Sequence, residues 1–514
     1  MPSELPDSVL PAPRIVKPRV RTPKILPIVA VIDDKALTED GESMLLDQLV
    51  RRLPSMPSTL FAAQNGADLL SYLDNIFAVP YSSIWQWRTS DVSREMPSTN
   101  AKVKCIRKVT VAVQYFGFKN TDKRSGSVYH RLIDPVTMYG KPLTDLIPGN
   151  KSKLVLLLEW AVTLRDWCIA NDLEVKPTTG GISAQLLTDP RFYDKPRRKV
   201  PAATNDRARE HLPGNHYVLT VTPSPEHEYR VTYIDQRRAH HYHAQLVHFP
   251  HANHLYAFGN FHNLEGYYRE QPSSRFMGLY CLDLQAPSQG DYFSWLDDRQ
   301  LTRQFIYTNE LTHLLDMGYK VVGIRAAWGS THRDTGLNKL AAWACTQLDE
   351  YDNAQWLKPI LLSAYGCLAC RADHAEAVFR LAKKGTERTI ATGRRRLTGI
   401  ATKRPQKLEP GIVNVIQRGM IEAATRSESI GLAQHLACHS QNVLQIYADA
   451  VIIETDDDRS LPLLPEPWEV KQTLNHYQPL SKQAFIADGM SRLPGVSHIE
   501  LKAYNARRTI EHVR

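Results

Sequence analysis

The chain has 514 residues, of which 43% are hydrophobic and 23% charged, and it carries a formal net charge of +9. That length is too great for one hydrophobic core and implies about two to four domains, and no apolar run of about 18 residues exists to cross a membrane as a helix. Seven dispersed cysteines, an odd number, fit a reducing cytosol better than a disulfide framework, and the positive balance suits a polyanionic partner without proving one.

Residues 1–27 are rich in proline and basic side chains and lack the apolar core of a secretion signal, so they read as a flexible tail. Residues 28–33 (Ile-Val-Ala-Val-Ile-Asp33) form a strand pattern ending in acid. A second strand pattern leads to Asn65-Gly-Ala-Asp68 and the helical repeat Leu69, Leu70, Tyr72, Leu73. Strand, acid, strand, then Asn and Asp at a helix start can line a metal site in an α/β domain; a strand end followed by an ordinary N-cap reads equally well. A third strand over 109–116 and an amphipathic helix over 153–171 complete this part, and the basic connector 195–199 (Lys-Pro-Arg-Arg-Lys) reads as a domain junction.

The strand 229–235 ends at Asp235 and runs into Gln236-Arg237-Arg238-Ala239-His240-His241-Tyr242-His243. Three imidazoles beside two arginines suit an anionic ligand as readily as zinc. A capped helix over 305–318 ends at Gly318, and a strand over 319–325 follows. Further on, Lys358 and Tyr365 stand seven residues apart, two helical turns, so both project from one helix side. They can grip a phosphate and stack on a sugar or base, or they can be a snorkelling lysine and a core-edge tyrosine. Cys367-x-x-Cys370 with His374 is half a zinc motif and has no second cysteine pair.

Residues 383–407 hold nine Lys or Arg and one Glu, a basic hairpin or loop able to follow a phosphate backbone. A long helix over 413–439 delivers the chain to residues 443–454, two β-branched strands with Asp449 at the bend between them. An unpaired carboxylate among strand formers is costly and is usually offset by a cation, although Asp is also a common turn residue. After Pro462 and Pro465 the chain ends in a small basic unit.

Three of these features fall in a fixed order: the strand ending at Asp235, the helical Lys358-x-x-x-Leu362-Ser363-x-Tyr365-Gly366, and the hairpin carrying Asp449. In that order they resemble a family B DNA polymerase of the compact phage and linear-plasmid type that includes protein-primed enzymes. In the family's first palm motif only the Asp and the preceding strand match, and His240 stands at the tyrosine beneath the sugar. The fingers motif matches at Lys358, Ser363, Tyr365 and Gly366, with Leu362 for Asn. The last palm motif, Asp-Thr-Asp, aligns with Tyr447-Ala448-Asp449, which puts Asp449 at the second Asp; the other register puts Asp449 first and Val451 second.

The resemblance implies an α+β and α/β multidomain fold, a right hand with palm, fingers and short thumb behind an N-terminal RNase H-like exonuclease-type domain. The expected divisions are tail 1–27, exonuclease-like domain 28–195, palm 196–340, fingers with basic hairpin 341–435, palm 436–465 and thumb 466–514. It further implies a nucleotidyltransferase that copies DNA by a two-metal mechanism. Asp235 and Asp449 are then the catalytic metal ligands for two Mg2+ or Mn2+ ions, and the substrates are dNTPs. Lys358, Tyr365, His240 and Ser363 bind nucleotide. Arg394, Arg395, Arg396 and Lys482 contact DNA, with Arg237 or Arg238 adding phosphate contacts. Asp33, Asn65 and Asp68 represent the exonuclease motifs, but Lys35 replaces a metal-binding Glu and 162–166 lacks a motif tyrosine, so proofreading is expected to be weak or absent. The partners are primer-template DNA and, by room in the sequence alone, a terminal protein or other replication proteins, with no membrane. The setting is the cytoplasm of a bacterial host during replication of a phage or mobile element. Two alternatives stay open: a catalytically inactive homologue that binds DNA in a replication complex, and a reverse transcriptase-like enzyme, to which Tyr447-Ala448-Asp449 is also similar.

Overall fold

The computed structural model describes residues 25–77, 85–91, 111–118, 128–147, 149–194, 200–213, 217–223, 227–261, 276–287, 293, 296, 301–351, 354–369, 375–380, 388–392, 395–405, 412–455, 460–488 and 490–492. The tail before residue 25, the connector 195–199, Arg394, Cys370 with His374, and the last 22 residues (493–514) lie outside them. None of the described helices is long and apolar enough to cross a membrane.

The N-terminal part is a seven-stranded sheet in the order Ser43–Leu45, Lys35–Thr38, Ile28–Ile32, Leu60–Ala63, Val128–Ile133, Val111–Phe118, Trp85–Asp91. Its first three strands form an antiparallel meander, and Leu60–Ala63 runs parallel to Ile28–Ile32 and to Val128–Ile133. The continuous apolar runs of these parallel strands follow from burial on both faces. Ile28, Ala30, Leu60 and Ala62 pack beneath the helix Lys153–Ala170, whereas Val29, Val31, Phe61 and Ala63 pack against Leu46, Leu49, Leu70 and Leu73 on the other side.

The second large sheet is antiparallel, with six strands in the order Ala484–Ile486, Trp468–Ser481, Tyr229–Gln236, Ala450–Glu454, Val443–Tyr447, Tyr217–Leu219. One face (Ile234, Val443, Ile446, Val451, Ile453, Trp468) lies on Ile430, Leu432, Ala433 and Leu436 of the long helix Val415–Cys438. The other face gathers Val231, Tyr233, Leu444, Ala450, Ile452, Leu474, Tyr477 and Phe485. Besides the two-stranded pair Phe249–Pro250 with Arg333–Asp334, two smaller sheets interrupt the sequence between these strands. Tyr256–Phe261, Lys320–Ser330, Met277–Gln285 and Gln304–Tyr307 make one, and Ala375–Arg380, Arg395–Pro405 and Arg388–Thr392 make the other.

A single apolar core runs from the N-terminal sheet through the helices Gly336–Glu350 and Leu357–Leu368 into Val415–Cys438. Polar bonds cross the same boundary: Trp167 Nε1 donates to Gln347 Oε1 at 2.9 Å, and the Ser183 hydroxyl donates to the Ile360 carbonyl. The division expected at 195–196 therefore has packing on both sides of it. The helices at Lys153–Ala170 and Val415–Cys438 and the strand at Tyr229–Gln236 match the sequence pattern closely, whereas the helix expected over 305–318 begins only at Thr308, because Gln304–Tyr307 pairs as a strand.

The long helix is also held by charge. Arg426 donates through Nε to Glu310 Oε1 at 2.7 Å, and the Glu310 side chain is wholly buried while also accepting the Tyr307 N–H at 3.1 Å. Removing one partner strands a buried charge, so Arg426→Met should lower unfolding stability by about 3 kcal/mol in a urea titration. Adding Glu310→Leu should recover most of that loss. Equal effects of the single and double changes would contradict a buried ion pair.

Candidate active site

Asp235 lies in the middle of the six-stranded sheet, opposite Ala450 on one neighbouring strand and Glu469 on the other. Asp449 directly precedes Ala450, and its carbonyl accepts the Gln236 N–H at 3.0 Å. The two aspartates therefore sit one residue out of register on adjacent strands. Val443–Tyr447 and Ala450–Glu454 are joined by the two-residue turn Ala448-Asp449, with Ala448 in the left-handed region at φ 57°. A non-glycine residue there costs roughly 1 kcal/mol. The Ser429 hydroxyl of the long helix offsets this by donating to the Ala448 carbonyl at 3.0 Å. Ser429 also accepts from Gln236 Nε2 at 3.1 Å, and Gln236 Oε1 meets His243 Nε2 at 2.6 Å. These groups are buried, so a connected polar network fixes the turn from beneath.

The electrostatics follow from this closeness. Burial, and then the negative charge of Asp235, push the Asp449 carboxyl above the usual range, while Lys471 and Arg492 pull it the other way. Lys471 forms an ion pair with Asp235. Arg492 lies over the Tyr447 ring, 5.7 Å from its centroid. Tyr447 itself packs on Tyr217 at 4.9 Å and Phe485 at 5.6 Å and donates to the Gln483 carbonyl at 3.4 Å. Gln445 Nε2 donates to the Lys482 carbonyl at 3.0 Å, so the turn bearing the exposed Lys482 is docked on the Asp449 hairpin.

After Asp235 the chain passes Arg238, left-handed at φ 56°, into the short helix Ala239–Leu246. This abrupt entry turns His240 and His241 toward the helix Leu357–Leu368. His241 Nδ1 is 2.8 Å from the Tyr365 hydroxyl, and the His240 and Tyr365 rings are 6.2 Å apart. Burial pushes both imidazoles down to about 3, and both are therefore neutral; Arg418 and His243 add to the effect at His240, and His240, Arg238 and Lys358 at His241. The strand of Asp235 and the helix of Lys358 and Tyr365 are thus joined through two histidines.

Lys358 is exposed in the first turn of its helix, whereas Tyr365 is buried, 1% exposed. Gly366 beside it faces open space, since a Cβ there would meet nothing within 4 Å. The Ser363 hydroxyl donates to the Pro359 carbonyl at 2.7 Å and shares a hydrogen bond with the Thr179 hydroxyl at 2.9 Å, which ties it to the helix Thr179–Leu186. Arg238 pairs with Asp349 at 2.8 Å and donates to the Cys345 carbonyl, and Arg237 lies 4.0 Å from the same Asp349, so both engage the helix Gly336–Glu350. The histidines do not converge on a metal: His241 and His243 have separate partners. Cys367 is buried and donates to the Gly180 carbonyl at 3.4 Å. Among the described residues no group of three or more His, Cys, Asp or Glu could hold a metal ion. Arg395 and Arg396 open the strand Arg395–Pro405, and Arg394 lies outside the described residues.

In the N-terminal sheet Asp33 is at the turn after Ile28–Ile32, left-handed at φ 53°, and Asn65 and Asp68 bond each other at 2.7 Å at the start of Gly66–Phe77. Asp134, which the sequence reading did not single out, is buried at the neighbouring strand end and accepts the Gly66 N–H at 2.6 Å. Asp166 bonds Arg165, whose other partners, the Leu26 carbonyl and Glu39, stand at the opposite end of Ile28–Ile32. Five strand residues at about 3.3 Å each place that end roughly 16 Å from the Asp33 end. Sequence reasoning also missed Arg418, Lys471 and Arg492. Nothing in their local pattern marks them, because each acts through a tertiary contact.

No family model matches the sequence, and no curated protein matches it. Solved structures do. Phi29 DNA polymerase complexed with single-stranded DNA aligns over 92% of this chain and 93% of its own with a TM-score of 0.61 and 12% identity. Its ternary complex with primer-template DNA and incoming nucleotide substrates aligns over the same shares with a TM-score of 0.60, again at 12% identity. An orthorhombic crystal form of the same enzyme gives 0.59 over 93% of this chain and 94% of its own, at 12% identity. At that identity the likeness is one of fold. The chain has the fold of a compact, phage-type family B DNA polymerase.

Proposed function

We propose that the chain is a DNA-directed DNA polymerase that adds dNTPs to a primer by a two-metal mechanism. The observation that carries this reading is the pair of Asp235, on a strand, and Asp449, in the turn that opens the adjacent antiparallel strand, with Asp449 pushed up by burial and by its neighbour's charge. Two carboxylates that repel one another when bare fit a divalent cation. A pair rather than a cage suits Mg2+ or Mn2+, because Mg2+ is held by one or two carboxylates and completes its octahedron with phosphate oxygens and water. When bound, the ions stabilise the attacking and leaving oxygens of phosphoryl transfer.

The protein's own side chains supply positioning and charge. Asp235 and Asp449 hold the ions. Lys358, exposed in the first turn of its helix, neutralises the triphosphate. The open space at Gly366, beside the buried Tyr365, receives the nascent base pair, and His240 lies beneath the sugar. Ser363 orients the helix through Thr179 instead of touching nucleotide. The strands bearing Arg395 and Arg396, and the Lys482 turn docked beside Asp449, bind primer-template DNA.

In this reading the six-stranded sheet, Trp468–Ser481 included, is the palm, the helices around Lys358 are the fingers, and the thumb follows the strand Ala484–Ile486 instead of starting at 466. The N-terminal sheet, a meander followed by two parallel strands, is the RNase H-like unit. Small sheets over 256–330 and 375–405 fill the two intervals where a protein-primed enzyme carries insertions, which supports a terminal protein as partner and a phage or mobile-element genome as the target. The ion pair of Lys471 with Asp235 favours one other reading, a homologue that binds DNA without catalysis.

Primer extension on a DNA template in Mg2+ separates the two. The wild-type chain should extend, and Asp235→Ala and Asp449→Ala should each lose at least about a hundredfold in rate. Synthesis retained in both variants would sink the two-aspartate site, and a wild type that binds primer-template without extending it would favour the silent homologue. On a 3′-mismatched primer the wild type should trim weakly or not at all, since Lys35 stands where a metal-binding Glu is expected and 162–166 lacks the motif tyrosine. Metal-dependent trimming that disappears in Asp68→Ala would contradict this.

A further inference from the structure

The strand Trp468–Ser481 does not pair regularly with Tyr229–Gln236. Val470 faces Ile234 and Gln472 faces Tyr233, so Lys471 is the extra residue of a bulge. Bulges bend a strand and re-aim a side chain, and they recur beside active sites. Here the bulge delivers an ammonium group to the carboxylate of Asp235: Lys471 Nζ donates to Asp235 Oδ2. The lysine side chain is 53% exposed and the aspartate 17%, so the pair stands at the mouth of the site with room for the lysine to swing away. Arg492, bridged to Phe485 of the edge strand beside Trp468–Ser481, adds a second positive charge close enough to act on Asp449. The bare site therefore sets two nearby cations against the carboxylates of Asp235 and Asp449, with Glu469 opposite Asp235 on the neighbouring strand.

We propose that Lys471 competes with the divalent cation for Asp235, holding the metal affinity of the protein alone low until a nucleotide brings further oxygen ligands. This inference rests on the metal-site reading above and adds a control to that site. A dNTP changes the balance because its phosphates outweigh one ammonium group and complete the coordination shell. Lys471 is then displaced from Asp235 to solvent or onto a phosphate. Metal without nucleotide would bind poorly, which keeps an unloaded site from holding ions.

The test is a Mn2+ titration of the full chain by electron paramagnetic resonance, without DNA, with and without dATP. A partly exposed ion pair is worth about a two- to fivefold change in affinity. Without nucleotide, Lys471→Gln should tighten Mn2+ binding by that factor, and Lys471→Arg should stay near wild type, since it keeps the charge. Adding Asp235→Asn to Lys471→Gln should remove the gain, and dATP should narrow the gap between wild type and Lys471→Gln. Equal or weaker binding by Lys471→Gln, or a gain that survives Asp235→Asn, would overturn the role of Lys471 alone. Absence of Mn2+ binding in every protein, even with dATP, would overturn the metal-site reading with it.

Discussion

Two carboxylates held on neighbouring strands repel one another, and the sheet has to be rigid enough to keep them there. The Gln236 N–H bonded to the Asp449 carbonyl sets their stagger. The turn between Tyr447 and Ala450 is then forced into a left-handed alanine, a strained arrangement that persists because the surroundings over-determine it. His243, Gln236 and Ser429 form that support from below, and the long helix Val415–Cys438 carries Ser429 to the right place because its apolar face is buried against the sheet. Folding energy from the core thus maintains an electrostatic conflict between Asp235 and Asp449.

The same constraint extends to the second helix system. Arg238 ends the Asp235 strand in a left-handed turn and is anchored by Asp349, so the next helix begins at once and His241 reaches Tyr365. Tyr365 is buried and its hydroxyl is engaged, and movement of the Leu357–Leu368 helix is therefore coupled to the segment that bears Asp235. On the far side, Ser363 and Ser183 bond this helix pair to one another, and Trp167 bonds the neighbouring helix Gly336–Glu350. The N-terminal sheet and the candidate nucleotide site consequently share one core.

Much of this was legible in the residues, because hydrophobic periodicity reports elements well. The apolar stripe of Lys153–Ala170, the β-branched strands around Asp449 and the Asp at the end of Tyr229–Gln236 all fall where the pattern puts them. The Lys358–Tyr365 spacing gave the shared helix side but not the burial of Tyr365, which depends on histidines more than 100 residues away. Ser363 matched a motif yet bonds Thr179, a partner no local pattern reveals. The two registers of the hairpin also differ less than the sequence suggests. Val451 is fully buried in the apolar face and Tyr447 packs among aromatics, so in either alignment Asp449 is the carboxylate the turn brings to Asp235. Lys471 was invisible for a different reason: a bulge shifts register by one residue, and strand propensity carries no trace of it.

The central claim is that Asp235 and Asp449 together hold a divalent cation. The most direct measurement is an anomalous difference map from crystals grown with primer-template DNA, a chain-terminated primer, an incoming dNTP and Mn2+. The account predicts Mn2+ peaks bridging the two carboxylates and the triphosphate, with Lys471 moved off Asp235. A nucleotide bound in the cleft with no anomalous peak at either aspartate would contradict it.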